Sequence, residues 1–254
     1  MQMLTKEPKV TLVGAGPGDP DLITIKGLKA IQQADVILYD ALVNVELLNH
    51  APESAERVYV GKRAGSHKFS QDLINKMIVD YAYRKGNLVR LKGGDSFIFG
   101  RGNEEIAYAK QHGLQVEVVP GISSATGVPA INNIPLTQRG INESFWVVTG
   151  TTKSGEISRD LELAIQSTAT VVILMGVRKL PEISRMFINA DKGSIPAAVI
   201  MNGSLEEQKV AYGNMFNIVS KAEEQQIGSP AIIIVGEVAA AYEMIMENDL
   251  AYAS

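Results

Sequence analysis

Residues 70–101 read SQDLINKMIVDYAYRKGNLVRLKGGDSFIFGR, and this stretch holds one complete unit of the fold. Ser70 is suited to cap a helix whose apolar face is Leu73, Ile74, Met77, Ile78 and Tyr81. Arg84 and Lys85 place positive charge at the end where the backbone dipole favours it, and Gly86 stops the helix. The apolar run Leu88 to Leu91 follows as a strand and empties into a glycine-rich turn, Gly93 to Arg101. A second helix is expected from Asn103, with Glu104 and Glu105 in its first turn, to Gly113.

Outward from this unit, short β-rich runs alternate with amphipathic stretches along the whole chain, the pattern of an α/β protein built from βαβ units around largely parallel sheets. Strands are expected at Val10 to Val13, Val36 to Tyr39, Arg57 to Val60, Leu88 to Leu91 and Val116 to Val119. A second series covers Phe145 to Thr149, Val171 to Met175, Ala197 to Met201, Val210 to Tyr212 and Ala231 to Val235. Between the series, VVPGISSATGVPAINNIPLTQRG carries three prolines that break any long regular element. The boundary is placed there, giving two α/β domains, 1–120 and 121–254, each around a central, mostly parallel or mixed five-stranded sheet.

The 254 residues are 46% hydrophobic and 20% charged, which excludes disordered, collagen-like and coiled-coil chains. Zero cysteines exclude a disulfide framework, a thiolate metal site and a cysteine nucleophile. The longest apolar runs are strand-sized and the N-terminus has no signal-peptide core, so no membrane segment is expected and the cytoplasm is the default compartment. The net charge of −4 is uneven: residues 1–120 hold 15 basic and 14 acidic side chains, residues 121–254 hold 9 and 14.

Gly14-Ala15-Gly16-Pro17-Gly18-Asp19 follows the first strand, and its three glycines suit a ligand passing over strand ends. It is not a dinucleotide fingerprint, because Asp19 stands where the third glycine belongs and Pro17 lacks a backbone donor. A tight turn is the plain alternative. For the second glycine turn the alternative is a turn closed by a plug of Phe97 and Phe99. The run Arg57 to Lys68 contains Arg57, Lys62, Arg63, His67 and Lys68 without an acid, and Gly61 and Gly65 carry it out of a strand toward the same rim. Asp40 ends the preceding strand there; with Lys62 it forms either an acid/base pair or an ordinary ion pair. The three histidines share no ligand spacing, so no metal is expected. Trp146 reads as packing, and no extended basic and aromatic surface suggests nucleic acid.

Taken together, GAGPGDPDLIT, ADVILYDALV, VGKRAGSH, LKGGDSFIFGRGNEE, VVPGISSATG, IPLTQRG, LMG, NGS and GSPAIIIVGEV resemble the class III S-adenosylmethionine-dependent methyltransferases of tetrapyrrole biosynthesis. The resemblance runs in order from about Val10 to Val238. It implies the tetrapyrrole methylase fold, with a cofactor cleft between two domains, and usually a homodimer. It implies transfer of methyl groups from S-adenosylmethionine to C2 and C7 of uroporphyrinogen III, giving precorrin-2 for sirohaem or cobalamin and releasing S-adenosylhomocysteine. Cofactor contacts carry over to Pro17, Gly93, Gly94, Asp95, Ile98, Ser123, Ser124, Met175 and Gly203, with Pro230 or Ala231 near the adenine. The proton acceptor carries over to Asp40 and the donor to Lys62. For an eight-carboxylate substrate the candidate anchors are Lys62, Arg63, His67, Arg101 and Arg139. Three positions depart from the family pattern: Ser96 for proline, Asn103 for glycine and Gln138 for histidine. A related enzyme acting on a later precorrin and a noncatalytic tetrapyrrole-binding relative are the alternatives.

Overall fold

The computed structural model describes residues 7–61 and 69–240. Its contacts divide the chain into two compact units, 1–123 and 124–254.

The first unit contains strands β1 (Lys9–Gly14), β2 (Val36–Tyr39), β3 (Glu56–Tyr59), β4 (Asn87–Lys92) and β5 (Gln115–Val119), with helices α1 (Ile25–Gln32), α2 (Gln71–Lys85) and α3 (Gly102–Gln111). All its strand pairs are parallel, in the order β3-β2-β4-β1-β5. Alternating side chains feed two cores. Val13, Ile37, Val89 and Leu91 pack with Ile31 of α1, whereas Leu12, Leu38 and Leu88 pack with Ile74 and Ile78 of α2 and Ala109 of α3. From the neighbours β1 and β4 the chain leaves in opposite directions, to β2 and to β5, so their carboxyl ends form a topological switch point.

The second unit contains α4 (Ser124–Ile131), β6 (Phe145–Thr149), α5 (Asp160–Gln166), β7 (Thr170–Leu174), α6 (Leu180–Asn189), β8 (Pro196–Met201), β9 (Lys209–Asn214), α7 (Ile218–Glu224) and β10 (Ala231–Val235). The sheet order is β6-β7-β10-β8-β9, and only β6 and β7 run parallel. Of the two expected forms, mostly parallel or mixed, this sheet takes the mixed one, and the β8–β9 pair has a physical reason to be antiparallel. A parallel crossover needs a dozen or more residues, and the short connection from β8 to β9 leaves room only for an antiparallel return.

Ser70 Oγ accepts from Leu73 N at 3.2 Å and Gly86 terminates α2 as the pattern predicts. The α3 helix starts one residue before the expected Asn103, with Arg101 as an N-cap in left-handed conformation and no side-chain capping bond. The proline-rich linker contains α4, a helix missed by a reading that gave weight to its breakers. At eight residues it tolerates Pro129, which removes one ladder donor but leaves the first turn intact. Trp146 is not a packing residue, because β6 is an edge strand and leaves Phe145 and Trp146 substantially exposed.

Candidate active site

Three loops meet at the carboxyl edge of the first sheet, backbone against backbone. Gly16 and Gly94 form a two-residue bridge, with Gly94 N donating to Gly16 O at 2.7 Å, and Ala15 N donates to Lys92 O at 2.7 Å. A Cβ on Gly14 would lie 2.5 Å from Gly121 N, and one on Gly121 would press into Gly94 O. Glycine at this junction therefore serves close approach, which strips the strand ends of side chains and leaves peptide groups facing the edge. Pro17 sits half-buried beside it.

Asp95 fastens the second loop to the third. Its Oδ1 accepts from Phe97 N at 2.8 Å and its Oδ2 from Gly121 N at 3.1 Å, leaving one lone-pair direction on each oxygen for a hydroxyl or amine. Ser123 ends the third loop and Ser124 opens α4; both are half-buried. The turn after Asp95 is not closed by an aromatic plug. Phe97, Ile98 and Phe99 are all exposed, which makes Ile98 an available apolar surface beside Gly93 and Gly94.

Asp40 leaves β2 on this same edge. Oδ1 accepts from Leu42 N at 3.1 Å and from Gly93 N at 3.4 Å, and Oδ2 lies 3.7 Å from Nη2 of Arg90. About a quarter of the side chain stays exposed, so it remains within reach of a bound molecule. Beneath it lies a buried charged group. Arg90 Nε donates to Glu105 Oε1 at 3.2 Å, and Lys92 Nζ donates to the same oxygen at 3.1 Å. Gln71 Nε2 also donates to that oxygen, while Glu105 Oε2 has no hydrogen-bond partner among the described residues. Burial, and then the Arg90 charge, hold the Lys92 ammonium below its usual range against the opposing pull of Glu105.

Arg90 and Lys92 are not among the residues singled out by the sequence, and Glu105 is marked there only as a first-turn helix acid. A signal was present: charges at alternate positions of an otherwise apolar strand put two cations on one buried face.

Lys62, Arg63 and His67 lie outside the described residues. Gly61, directly before them, packs against Ala41 N, next to Asp40. Arg57 does not share this rim. Its guanidinium donates to the carbonyls of Leu48, Ala51 and Ala55 at the opposite end of β3, where it ties down a loop. Arg101 is exposed and forks onto Glu104 at 2.8 and 2.7 Å, a pairing that raises its already high pKa. A substrate carboxylate at Arg101 would have to share or displace Glu104.

In the second unit the register brings the remaining candidates to one edge. Because β10 runs antiparallel, its start, Pro230 and Ala231, lies beside the ends of β7 and β8, which lead into Met175 and Gly203. Asn202 N donates to Pro230 O at 3.1 Å, and Thr151 Oγ1 donates to Met175 O at 3.0 Å. Met175, Asn202 and Ser204 all have positive φ, at 57°, 51° and 76°, so the edge concentrates backbone strain of the kind found at ligand sites. Met175 is more than half exposed. Gly203 is buried against α4, and a Cβ there would collide with Val128. Arg139 is exposed in the turn before β6, where Gln138 N donates to Asn142 Oδ1 at 2.8 Å.

The residues of each unit, taken by itself, fit the cofactor implied by the resemblance: in the first, bare peptide edges, a carboxylate with spare lone pairs and exposed Ile98; in the second, exposed Met175. Among the described residues no cluster of metal-binding side chains occurs, and no helix is long and apolar enough to cross a membrane.

Comparison with known proteins gives a consistent answer. Residues 9–218 match the family described as Tetrapyrrole (Corrin/Porphyrin) Methylases. A uroporphyrinogen-III C-methyltransferase from Methanocaldococcus jannaschii is 48% identical over 91% of this chain and 96% of its own. A siroheme synthase from Chromobacterium violaceum is 46% identical over 90% of this chain, which spans only 49% of that longer protein. Among solved structures, the uroporphyrin-III C-methyl transferase of Thermus thermophilus complexed with S-adenyl homocysteine superposes with a TM-score of 0.78 at 35% identity, covering 91% of this chain and 99% of that one. A cobalt precorrin-4 methyltransferase superposes with a TM-score of 0.82 at 26% identity, covering 94% and 99%.

Proposed function

The chain belongs to the tetrapyrrole methylase family, and from that premise we propose that it methylates uroporphyrinogen III twice, at C2 and C7, to give precorrin-2. The observation that carries this reading is near-half identity, over almost the full length of both chains, to a relative of that name. Identity falls to about a quarter for the relative acting on a later precorrin, which favours uroporphyrinogen III as acceptor.

When bound, S-adenosylmethionine supplies a methyl group on a cationic sulfur, and its transfer to carbon leaves the electron pair of the broken bond on sulfur as the thioether S-adenosylhomocysteine. The chain's task is alignment, exclusion of water and proton movement. Pro17, Gly93, Gly94, Asp95, Ile98, Ser123 and Ser124 on the first edge, and Met175, Gly203, Pro230 and Ala231 on the second, bind and orient the cofactor. Each ring carbon that gains a methyl group leaves the macrocycle with one positive charge, discharged as a proton. Asp40 accepts it: two backbone N–H groups and Arg90 surround its carboxylate and hold it in place at the edge. Lys62 is assigned the return of a proton as the double bonds rearrange. Arg63, His67, Arg101 and Arg139 hold the substrate carboxylates. Assembly as a homodimer, residence in the cytoplasm and supply of precorrin-2 to sirohaem or cobalamin synthesis complete the proposal, which involves neither nucleic acid nor membrane.

The test is anaerobic incubation of the purified protein with uroporphyrinogen III and S-adenosylmethionine, followed by mass spectrometry and absorbance. Two added methyl groups are expected. A protein that binds S-adenosylhomocysteine yet adds none would overturn the assignment.

A further inference from the structure

We infer that Arg90, braced by Glu105, is a positioning residue for Asp40: it aims and fixes the carboxylate that accepts the proton, without touching substrate itself. The inference rests on the reading of Asp40 given above. Arg90 is almost fully buried, so it cannot serve as a surface anchor for substrate carboxylates.

A guanidinium carries five N–H donors in one rigid plane, and here three of its nitrogens point at different parts of the site. Nε is held by Glu105 Oε1 on α3. Nη1 donates to the carbonyls of Leu91 at 3.0 Å and Leu38 at 3.3 Å. Nη2 faces Asp40 Oδ2. Leu38 lies two residues before Asp40, so one side chain grips both the backbone that delivers the carboxylate and the carboxylate itself. Leu91 leads into Gly93, whose N–H donates to the other oxygen of Asp40. The plane is thereby locked from three directions, and rotation of the Asp40 carboxylate would break its contacts with Leu42 N, with Gly93 N and with Arg90 of β4 together.

Glu105 is what makes a buried arginine tenable at this point. Its carboxylate is fully enclosed and sits between Arg90 and Lys92, so one anion offsets the nearer of two cations while Asp40 faces the far end of Arg90. A neutral side chain at position 90 could fill the space but not direct Asp40.

The experiment compares Arg90→Met, Arg90→Lys, Asp40→Asn and the Arg90→Met/Asp40→Asn double variant, measuring kcat and KM with uroporphyrinogen III and S-adenosylhomocysteine affinity by calorimetry. Arg90→Met is expected to lower kcat about tenfold or more while cofactor affinity stays within about threefold, since positioning of a proton acceptor acts on turnover. Arg90→Lys, which keeps a cation beside Glu105, is expected to recover part of the loss. It gives the same split should Arg90→Met not fold. The double variant is expected to be no slower than Asp40→Asn alone, because Arg90 acts through Asp40. Wild-type turnover in both Arg90 variants, or losses that multiply in the double variant, would overturn the inference and leave the Asp40 assignment standing. Wild-type turnover in Asp40→Asn would instead remove the assignment on which it rests.

Discussion

The two sheets place their candidate residues at comparable edges but build those edges from opposite materials. In the first unit the buried polar groups include Arg90, Lys92 and Glu105, all charged; in the second they are Asn132, Asn142, Thr170 and Ser184, all neutral. The unpartnered buried atoms, Asn87 Oδ1, Ser96 Oγ and Glu105 Oε2, also belong to the first unit among the described residues. In the second unit Asn142 Nδ2 donates to Leu136 O, Ser144 O and Thr170 Oγ1, and Ser184 Oγ donates to Met215 O at 2.7 Å. The first unit holds buried charge beneath Asp40, the proposed proton acceptor. The second holds a neutral core behind its edge, and both edges carry non-glycine residues at positive φ: Phe99 and Arg101 in the first, Met175, Asn202 and Ser204 in the second. In the proposed reading the first sheet supplies the proton acceptor as well as cofactor contacts, and the second supplies binding residues alone.

The contrast is broken most directly at Glu105. Glu105→Gln leaves Arg90 and Lys92 buried without an anion between them, and a loss of about 3 to 5 kcal/mol is expected by urea unfolding. Ser184→Ala in the second unit removes one neutral bond and should cost only about 1 kcal/mol. Equal losses would erase the distinction between the cores.

Close packing separates the edges next. A methyl at Gly121 meets the backbone of Gly14 and Gly94, whereas the atoms nearest a methyl at Gly203 belong to the side chain of Val128. Gly121→Ala is expected to destabilise by about 1 to 3 kcal/mol with nothing nearby to trim, and Gly203→Ala to be partly rescued by Val128→Ala. Thermal unfolding of the three variants checks this; rescue absent at Gly203 would show that its role is not packing on α4.

Ser96 provides a smaller effect of opposite sign. Its hydroxyl is buried and without a hydrogen-bond partner among the described residues, so Ser96→Ala should stabilise by about 1 kcal/mol. A destabilised variant would mean the hydroxyl is used. The smallest effect is a pH slope. The folded pKa of Lys92 lies below its ordinary 10.5, so the unfolded chain binds more protons in that interval, and this group makes stability rise as pH climbs toward 10.5. Lys92→Met should flatten that alkaline rise in urea unfolding, and an unchanged slope would show that the group titrates alike in both states.

Most of the strand pattern was legible because short apolar runs rich in β-branched and aromatic residues, flanked by turn-forming residues such as Asp, Ser, Pro and Gly, leave few other readings. Val36 to Tyr39, Phe145 to Thr149 and Ala231 to Val235 were read to the residue. What the local pattern could not carry was pairing. Nothing in Ala231 to Val235 says that β10 inserts antiparallel between β7 and β8, yet that insertion brings Pro230 beside Met175 and Gly203. Charge was misread in both directions. Arg57 looked like part of a basic rim and instead binds carbonyls at the far end of its strand, while Arg90 and Lys92 vanished into an apolar run. Composition assigns charges to the surface by default, and only the period of two along β4 betrays the exception. The family resemblance supplied Asp40; the contacts that hold it became visible only in three dimensions.

The central claim of the proposal is that Asp40 on the first edge accepts a proton, whereas Met175 on the second edge serves only to hold the cofactor. It is tested by measuring kcat at saturating S-adenosylmethionine beside S-adenosylhomocysteine affinity for Asp40→Asn and Met175→Ala. The account predicts that Asp40→Asn loses about a hundredfold or more in kcat with its affinity retained, and that Met175→Ala loses affinity with kcat largely retained. Loss of affinity in Asp40→Asn with unimpaired turnover, or the reverse in Met175→Ala, would contradict it.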